Sequence, residues 1–142
     1  MNNLEEIELM WKKDSQIDPD NLHEEALKIP QLHGKYYEMQ NRVYRTKKQR
    51  EAKYNSLLTE KTLYYSGKAD PDVYKEKPFP HKILKNDIPL YLNSDKELIE
   101  SKSKVDYCSY VLNYLSDILK MIHNRSFQIR DSIEWSKFIA GQ

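Results

Sequence analysis

The chain has 142 residues, 39% of them hydrophobic and 32% charged, and a net charge of +1. That length suits one compact domain or an extended helical protomer, and chains this polar often complete their core by self-association. Glycine occurs only at 34, 67 and 141 and cysteine only at 108, which excludes the Gly-rich phosphate-binding loops of common nucleotide-driven enzymes and any intrachain disulfide.

In chain order, residues 3–13 predict a short amphipathic helix with Leu4, Ile7 and Met10/Trp11 on one face. Asp18-Pro19-Asp20-Asn21 reads as a turn and helix start, with Asn21 and Glu24 spaced as a capping box, and Pro30 is expected to stop that helix. One long helix is predicted over about 31–66, where Leu32, Tyr36, Met39 and Val43 form a stripe that fades over Thr46–Lys53 and resumes at Tyr54, Leu57/Leu58, Lys61 and Tyr64/Tyr65. Ser66-Gly67 suits its C-cap. Pro71, Pro78, Pro80 and Pro89 make residues 68–94 a connector, in which His81–Lys85 and Leu90–Asn93 leave room for a short β-hairpin or edge strands.

Ser94-Asp95-Lys96-Glu97 has the pattern of a capping box and opens a helix over about 95–122. Leu98, Val105, Leu112 and Leu119 recur every seven residues, and Ser101, Cys108, Leu115 and Ile122 form a second such series. Together they read as a seam of a little over three heptads, which Val111 and Ile118 widen toward a bundle or a higher oligomer. Packing against the 31–66 helix within one chain explains the periodicity equally well. His123-Asn124-Arg125 is expected to break the helix before a last one carrying Phe127, Ile133, Trp135, Phe138 and Ile139. The fold class is therefore mainly α, long helices packed as a helical bundle: 1–67 as an N-terminal helical part, 68–94 as connector and 95–142 as a C-terminal helical part of one domain.

Charge is segregated along the chain. Residues 1–34 carry three Lys/Arg against eight Asp/Glu, a net of −5, while residues 35–68 carry nine against three, a net of +6. Arg42, Arg45, Lys47, Lys48, Arg50 and Lys53 form the basic run, and tyrosines 36, 37, 44, 54, 64 and 65 interleave with the basic region. Cations neutralise phosphates and aromatic rings stack on unpaired bases without regard to sequence, so the pattern suits single-stranded nucleic acid; a solvated helix face with its aromatics turned inward is the alternative.

No catalytic or metal-binding constellation can be assembled. His23, His33, His81 and His123 are scattered, the pairs Asp18/Asp20 and Asp70/Asp72 flank prolines as turn formers, and Cys108 sits at an apolar seam position that suits packing. No enzyme activity, metal or cofactor is expected. No apolar run reaches bilayer-spanning length and the acidic N-terminus lacks a signal-peptide core, so no membrane association and a cytoplasmic location are expected.

Three stretches resemble UvsY-type recombination mediators of T-even-like phages. They are Trp11-Lys12-Lys13-Asp14 with Ile17-Asp18, Leu22 and Glu25-Ala26; Leu63-Tyr64-Tyr65-Ser66-Gly67; and Arg125-Ser126-Phe127-Gln128-Ile129-Arg130 with Phe138 and Ala140-Gly141. Their order and spacing span nearly the whole chain. The resemblance implies a ring-like homo-oligomer, hexamer or heptamer, assembled through the C-terminal helical region and acting in the cytoplasm of the infected bacterial host. Its implied partners are single-stranded DNA, a RecA-like phage recombinase and the phage single-strand-DNA-binding protein. The family's basic DNA-binding motif, Lys-Ala-Arg-Leu, falls on Thr59-Glu60-Lys61-Thr62, so only Lys61 is carried over. The remaining DNA affinity is expected from the Arg42–Lys53 run, with Tyr64, Tyr65 and Lys68 at the helix end, and self-association from Leu98, Val105, Cys108, Leu112, Leu115, Leu119 and Ile122. The rival to a DNA-binding mediator is a helical oligomeric scaffold that binds only proteins.

Overall fold

The computed structural model describes residues 1–141. Among the described residues six α-helices follow one another: α1 (Leu4–Asp14), α2 (Leu22–Leu27), α3 (Ile29–Tyr65), α4 (Pro71–Glu76), α5 (Ile88–Ser94) and α6 (Lys96–Ile139), with a 3-10 turn at Lys85–Asp87. The described residues contain no strand. The chain forms two compact units, one from Met1–Arg45 together with the chain from Ser109 on, the other Thr46–Cys108.

In the first unit, α1 opens on a complete capping box: the Glu6 amide donates to Asn3 Oδ1 at 2.8 Å and the Asn3 amide to Glu6 Oε2 at 3.3 Å. The core joins Ile7 of α1 to Tyr36, Met39 and Val43 of α3 and to Val111, Leu115, Ile118, Ile122 and Ile129 of α6. The α3 stripe thus buries three of its four expected members, while Leu32 is half-buried. Trp11 meets the Tyr36 ring edge-on at 5.5 Å, and the Tyr36 hydroxyl donates to Asp14 Oδ2 at 2.8 Å. Burial pushes the Tyr36 hydroxyl pKa far up, aided by Asp14. Burial also raises the Asp14 carboxyl, but hydrogen bonds from Lys35 and Tyr36 outweigh it and hold the group below its usual value.

Two expected boundaries in this unit are displaced. Asn21 does not cap α2; its amide nitrogen donates to Asp18 Oδ2 at 2.7 Å instead, closing the preceding turn. Pro30 does not end a helix but sits in the first turn of α3, where its missing N–H has no intrahelical acceptor to lose; the break falls at Lys28.

The expected break at His123-Asn124-Arg125 is also absent, and α6 runs on to Ile139. Arg125 is 4% exposed and donates to the carbonyls of Asp14 and Gln16 at 2.8 and 2.9 Å and to Glu25 Oε2 at 3.2 Å. An arginine so anchored holds the helix through a stretch of weak helix formers.

In the second unit, α3 ends in a Schellman motif. Gly67 takes φ +76, the Lys68 amide donates to the Leu63 carbonyl at 2.9 Å and the Gly67 amide to that of Tyr64 at 3.2 Å. The connector forms no hairpin. Pro71 and Pro89 instead occupy the first turns of α4 and α5, the one helical position that suits proline, and Leu90–Asn93 lies within α5. A ring cluster ties the connector to the end of α3: Tyr64 stacks on Tyr74 at 5.4 Å, Tyr65 meets Phe79 at 5.3 Å and Phe79 meets Tyr91 at 5.8 Å. Such pairs contribute about 0.5–1.5 kcal/mol each beyond area burial, which explains how a proline-rich segment becomes ordered. Asp95, not Ser94, caps α6: its Oδ1 accepts the Leu98 amide at 3.1 Å.

Candidate nucleic-acid interface

Of the expected basic residues, only Arg42 and Arg45 lie in the first unit, on the last turns of its α3 segment. Arg42 Nη2 pairs with Glu38 Oε1 at 2.6 Å. Arg45 is exposed and makes no ion pair among the described residues. The others belong to the second unit. Lys47 and Lys48 share Glu51 at 3.8 and 3.4 Å. Arg50 is half-buried and donates through Nη1 to the Lys104 carbonyl at 3.0 Å and to Cys108 Sγ at 3.3 Å. Lys53 and Lys68 are exposed and make no ion pair among the described residues.

Lys61 is engaged within the unit. Its ammonium lies 3.3 Å from Asp95 Oδ2 and 3.5 Å from Glu97 Oε1, with the side chain only 14% exposed. Asp95 also accepts the Tyr65 hydroxyl at 2.6 Å. Burial raises the Asp95 carboxyl, but Tyr65, the Leu98 amide and Lys61 more than offset that and hold it below the usual carboxylate range; Tyr65, buried against this anion, is pushed well above the usual phenol value. Lys61 therefore neutralises the capping carboxylate of α6.

The second unit also contributes cations that the sequence pattern did not reveal. The Lys102 ammonium stands 5.8 Å from the centre of the Tyr54 ring. Lys104 lines a groove of about 210 Å³ together with Arg50, Lys53, Leu57 and Ser101 and the acids Glu97 and Glu100, and pairs with Glu100 at 3.7 Å. Along the chain these lysines sit in an evenly mixed stretch, Glu100-Ser101-Lys102-Ser103-Lys104; only folding sets them beside the basic run of α3. The unit thus presents Lys53 and Arg50 from α3 and Lys102 and Lys104 from α6, with Tyr54 beside Lys102.

A second cavity of the same unit, about 410 Å³, is lined by Tyr64 and Tyr65 with Lys61, Lys68 and Lys77. No group of three or more His, Cys, Asp or Glu able to hold a metal occurs among the described residues, and no helix there is long and apolar enough to cross a membrane.

The heptad seam divides in two. Leu98, Cys108, Leu115 and Ile122 are buried within a single chain, as are Val111 and Ile118, whereas Val105, Leu112 and Leu119 are half-buried. The interior row of α6 is therefore Cys108, Val111, Leu115, Ile118, Ile122, Arg125 and Ile129, in alternating steps of three and four. It serves intrachain packing, the alternative open at the sequence level. Large apolar surface remains at the far end of α6, where Trp135 and Phe138 are 62% and 72% exposed and stack at 5.7 Å.

With this geometry in place, the decisive observation is one of likeness over almost the whole length. The family model described as "Recombination, repair and ssDNA binding protein UvsY" matches residues 10–142. The chain belongs to the UvsY family. It is 26% identical over 139 residues to the recombination protein uvsY of Enterobacteria phage T4, covering 98% of both chains. Its fold matches a crystal structure of the bacteriophage T4 recombination mediator protein UvsY with a TM-score of 0.88 at 25% identity, over 99% of both chains. A second crystal form of that protein matches with a TM-score of 0.85 at 24% identity, over 94% of this chain and 98% of the other.

Several of the residues that carry the UvsY resemblance in the sequence are packing and capping residues, while Phe127 and Phe138 are exposed. Trp11, Asp14, Glu25 and Arg125 meet in one cluster of the first unit. Leu63 to Gly67 builds the Schellman turn of the second.

Proposed function

We propose that this chain is a non-enzymatic recombination mediator. It binds single-stranded DNA and promotes loading of a RecA-like recombinase onto DNA covered by the phage single-strand-binding protein, in recombination, repair and recombination-dependent replication inside the infected host's cytoplasm. It works as a ring-like homo-oligomer, hexameric or heptameric. Family membership supports the class of activity. The observation that supports the DNA contact is the set of cations that α3 and α6 of the second unit bring together, Arg50, Lys53 and Lys104 around one groove and Lys102 over the Tyr54 ring.

Lys53, Lys102 and Lys104 with Arg50 contact phosphates, and Tyr54 offers a ring to a base; Arg45, Lys47, Lys48, Lys68 and Arg42 add charge. Lys61 contributes mainly by holding α6 to α3. No base-reading element accompanies these groups, so binding is indifferent to sequence. Three phosphate contacts per protomer give a slope of log affinity against log salt near about −2. Salt titration with a labelled oligonucleotide tests this: a K53A/K102A/K104A variant flattens the slope and weakens binding while keeping the parent fold. Equal slopes for variant and parent place the DNA elsewhere.

Self-association uses the exposed apolar end of α6, Trp135, Phe138 and Ile139, helped by the half-buried Val105, Leu112 and Leu119. A ring of weak sites raises the effective DNA concentration at each, so avidity exceeds single-site affinity by about 10²–10⁴. The pairing of Lys47, Lys48 and Lys61 with acids supports a second reading, a scaffold that binds only proteins. Absence of any salt-dependent oligonucleotide binding favours that one.

A further inference from the structure

The cavity at the end of α3 is not an extension of the basic surface. Its walls carry three ammonium groups, Lys61, Lys68 and Lys77, and three carboxylates, Glu60, Asp70 and Glu97, so the lining has no net charge. A bare phosphate entering it meets as many anions as cations. The floor is aromatic and aliphatic: Tyr64 and Tyr65 from α3, Leu63 beside them, and Val73 from α4. The volume of about 410 Å³ falls within the roughly 300–1,000 Å³ typical of small-ligand pockets, far larger than one ordered water needs.

The floor is preorganised. Tyr64 is clamped on one face by Tyr74 at 5.4 Å and by its hydroxyl donating to the Lys77 carbonyl at 3.0 Å, and Tyr65 by its hydrogen bond to Asp95. Rigid rings that need no reordering on binding make the contact less costly in entropy. At the rim, Lys68 follows the Schellman glycine and is exposed with no ion pair among the described residues.

The geometry points to a pocket for one unstacked nucleobase of single-stranded DNA, held by its ring against the tyrosine wall, with Lys68 meeting the adjacent backbone phosphate. This rests on the DNA-binding reading above and adds a discrete base site to it. A nucleobase suits a lining of mixed charge because its edge carries both donors and acceptors, and its flat faces suit an aromatic and aliphatic floor. A base withdrawn from solvent at each protomer also fixes the register of the strand on an otherwise sequence-blind surface.

The test uses the full-length protein and two oligonucleotides of equal length, one all thymine with a central 2-aminopurine, the other with abasic sites throughout. Affinity is read by anisotropy and base burial by 2-aminopurine emission. In the parent, emission falls on binding and the abasic strand binds about 5- to 10-fold more weakly, the low end for a base stacked on an aromatic side chain. Val73→Trp fills the cavity from its partly exposed edge: it removes most of the emission change and shrinks the abasic penalty to what stacking on Tyr54 leaves, with the salt slope kept. Leu63→Ala, a milder truncation, reduces the emission change in step and guards against misfolding of the first variant. Equal, salt-dependent binding of both strands by the parent overturns the base pocket alone and assigns the cavity to a protein side chain. So does an abasic penalty that is undiminished in both variants. Absence of binding to either strand at low salt overturns the DNA reading and the pocket with it.

Discussion

Arg125 and Glu25, 100 residues apart in sequence, meet at 3.2 Å in the interior of the first unit. The same guanidinium takes up the carbonyls of Asp14 and Gln16, so one side chain of α6 satisfies the C-terminal end of α1, the turn after it and the acid of α2. Arg125→Ala leaves two carbonyls without this donor and Glu25 with only the exposed Lys28 at 3.9 Å among the described residues, and the expected loss is about 3–5 kcal/mol of folding stability. Arg125→Lys recovers only part, because one ammonium cannot reproduce the planar fork. Urea denaturation of the three proteins checks the order parent, Lys, Ala.

The α3 terminus depends on a conformation rather than on a contact. Gly67 has φ +76, and a Cβ added there meets nothing within 4 Å. Gly67→Ala therefore costs only the left-handed backbone penalty, about 1–2 kcal/mol. Thermal melts should show a modest loss with unchanged helical content; an unaffected melting temperature would mean that the turn relaxes to another conformation.

The acid limb of stability follows from two carboxyls. Asp14 and Asp95 are both held below their ordinary value in the folded chain. A carboxyl so depressed favours the folded state when ionised, so its contribution is complete above about pH 5 and drains away as pH falls below about 4. Asp95→Asn should lower stability at pH 7 and narrow the difference from the parent as pH approaches 3. Melting curves between pH 3 and 7 decide this, and parallel curves at all pH values would remove Asp95 from the account.

Aspartate substitutions separate the two apolar rows of α6. Leu115 is 0% exposed within one chain, so Leu115→Asp buries an unpaired charge and unfolds the first unit. Phe138 is 72% exposed, so Phe138→Asp should leave the fold intact and dissociate the proposed oligomer. Circular dichroism and light scattering on each variant should show loss of helix in the first and loss of mass in the second. An undiminished mass for Phe138→Asp would move the interface off this end of α6.

Lys61 and Lys53 should behave as opposites. Lys61→Met strips the buried capping carboxylate Asp95 of its cation and is expected to lower stability with little change in the salt slope of DNA binding. Lys53→Ala touches no ion pair among the described residues and should flatten the slope by about 0.7 if it meets one phosphate, with stability unchanged. Denaturation and salt titration on the same pair of variants read both effects.

What was legible in the sequence is what short-range geometry determines. The stripe Tyr36, Met39, Val43, the glycine after α3 and the helical character of both long segments follow from spacings of three and four residues and from the one residue type that adopts positive φ. The connector misled because its prolines break helices in general yet suit a helix's first turn, and only the ring cluster of Tyr64, Tyr65, Tyr74, Phe79 and Tyr91 shows which applies. His123-Asn124-Arg125 misled for a related reason: poor propensity was overridden by three acceptors supplied from about 100 residues away or more. The same distance separates sequence from site. Nine cations of residues 35–68 look alike in the sequence, and Lys61 is ion-paired only because Asp95 and Glu97 fold against it. Lys102 becomes a candidate contact only because Tyr54 comes within 5.8 Å. Local pattern determines helices; which side chains have partners, and which are left to meet another molecule, is decided by the long-range contacts that tertiary packing alone creates.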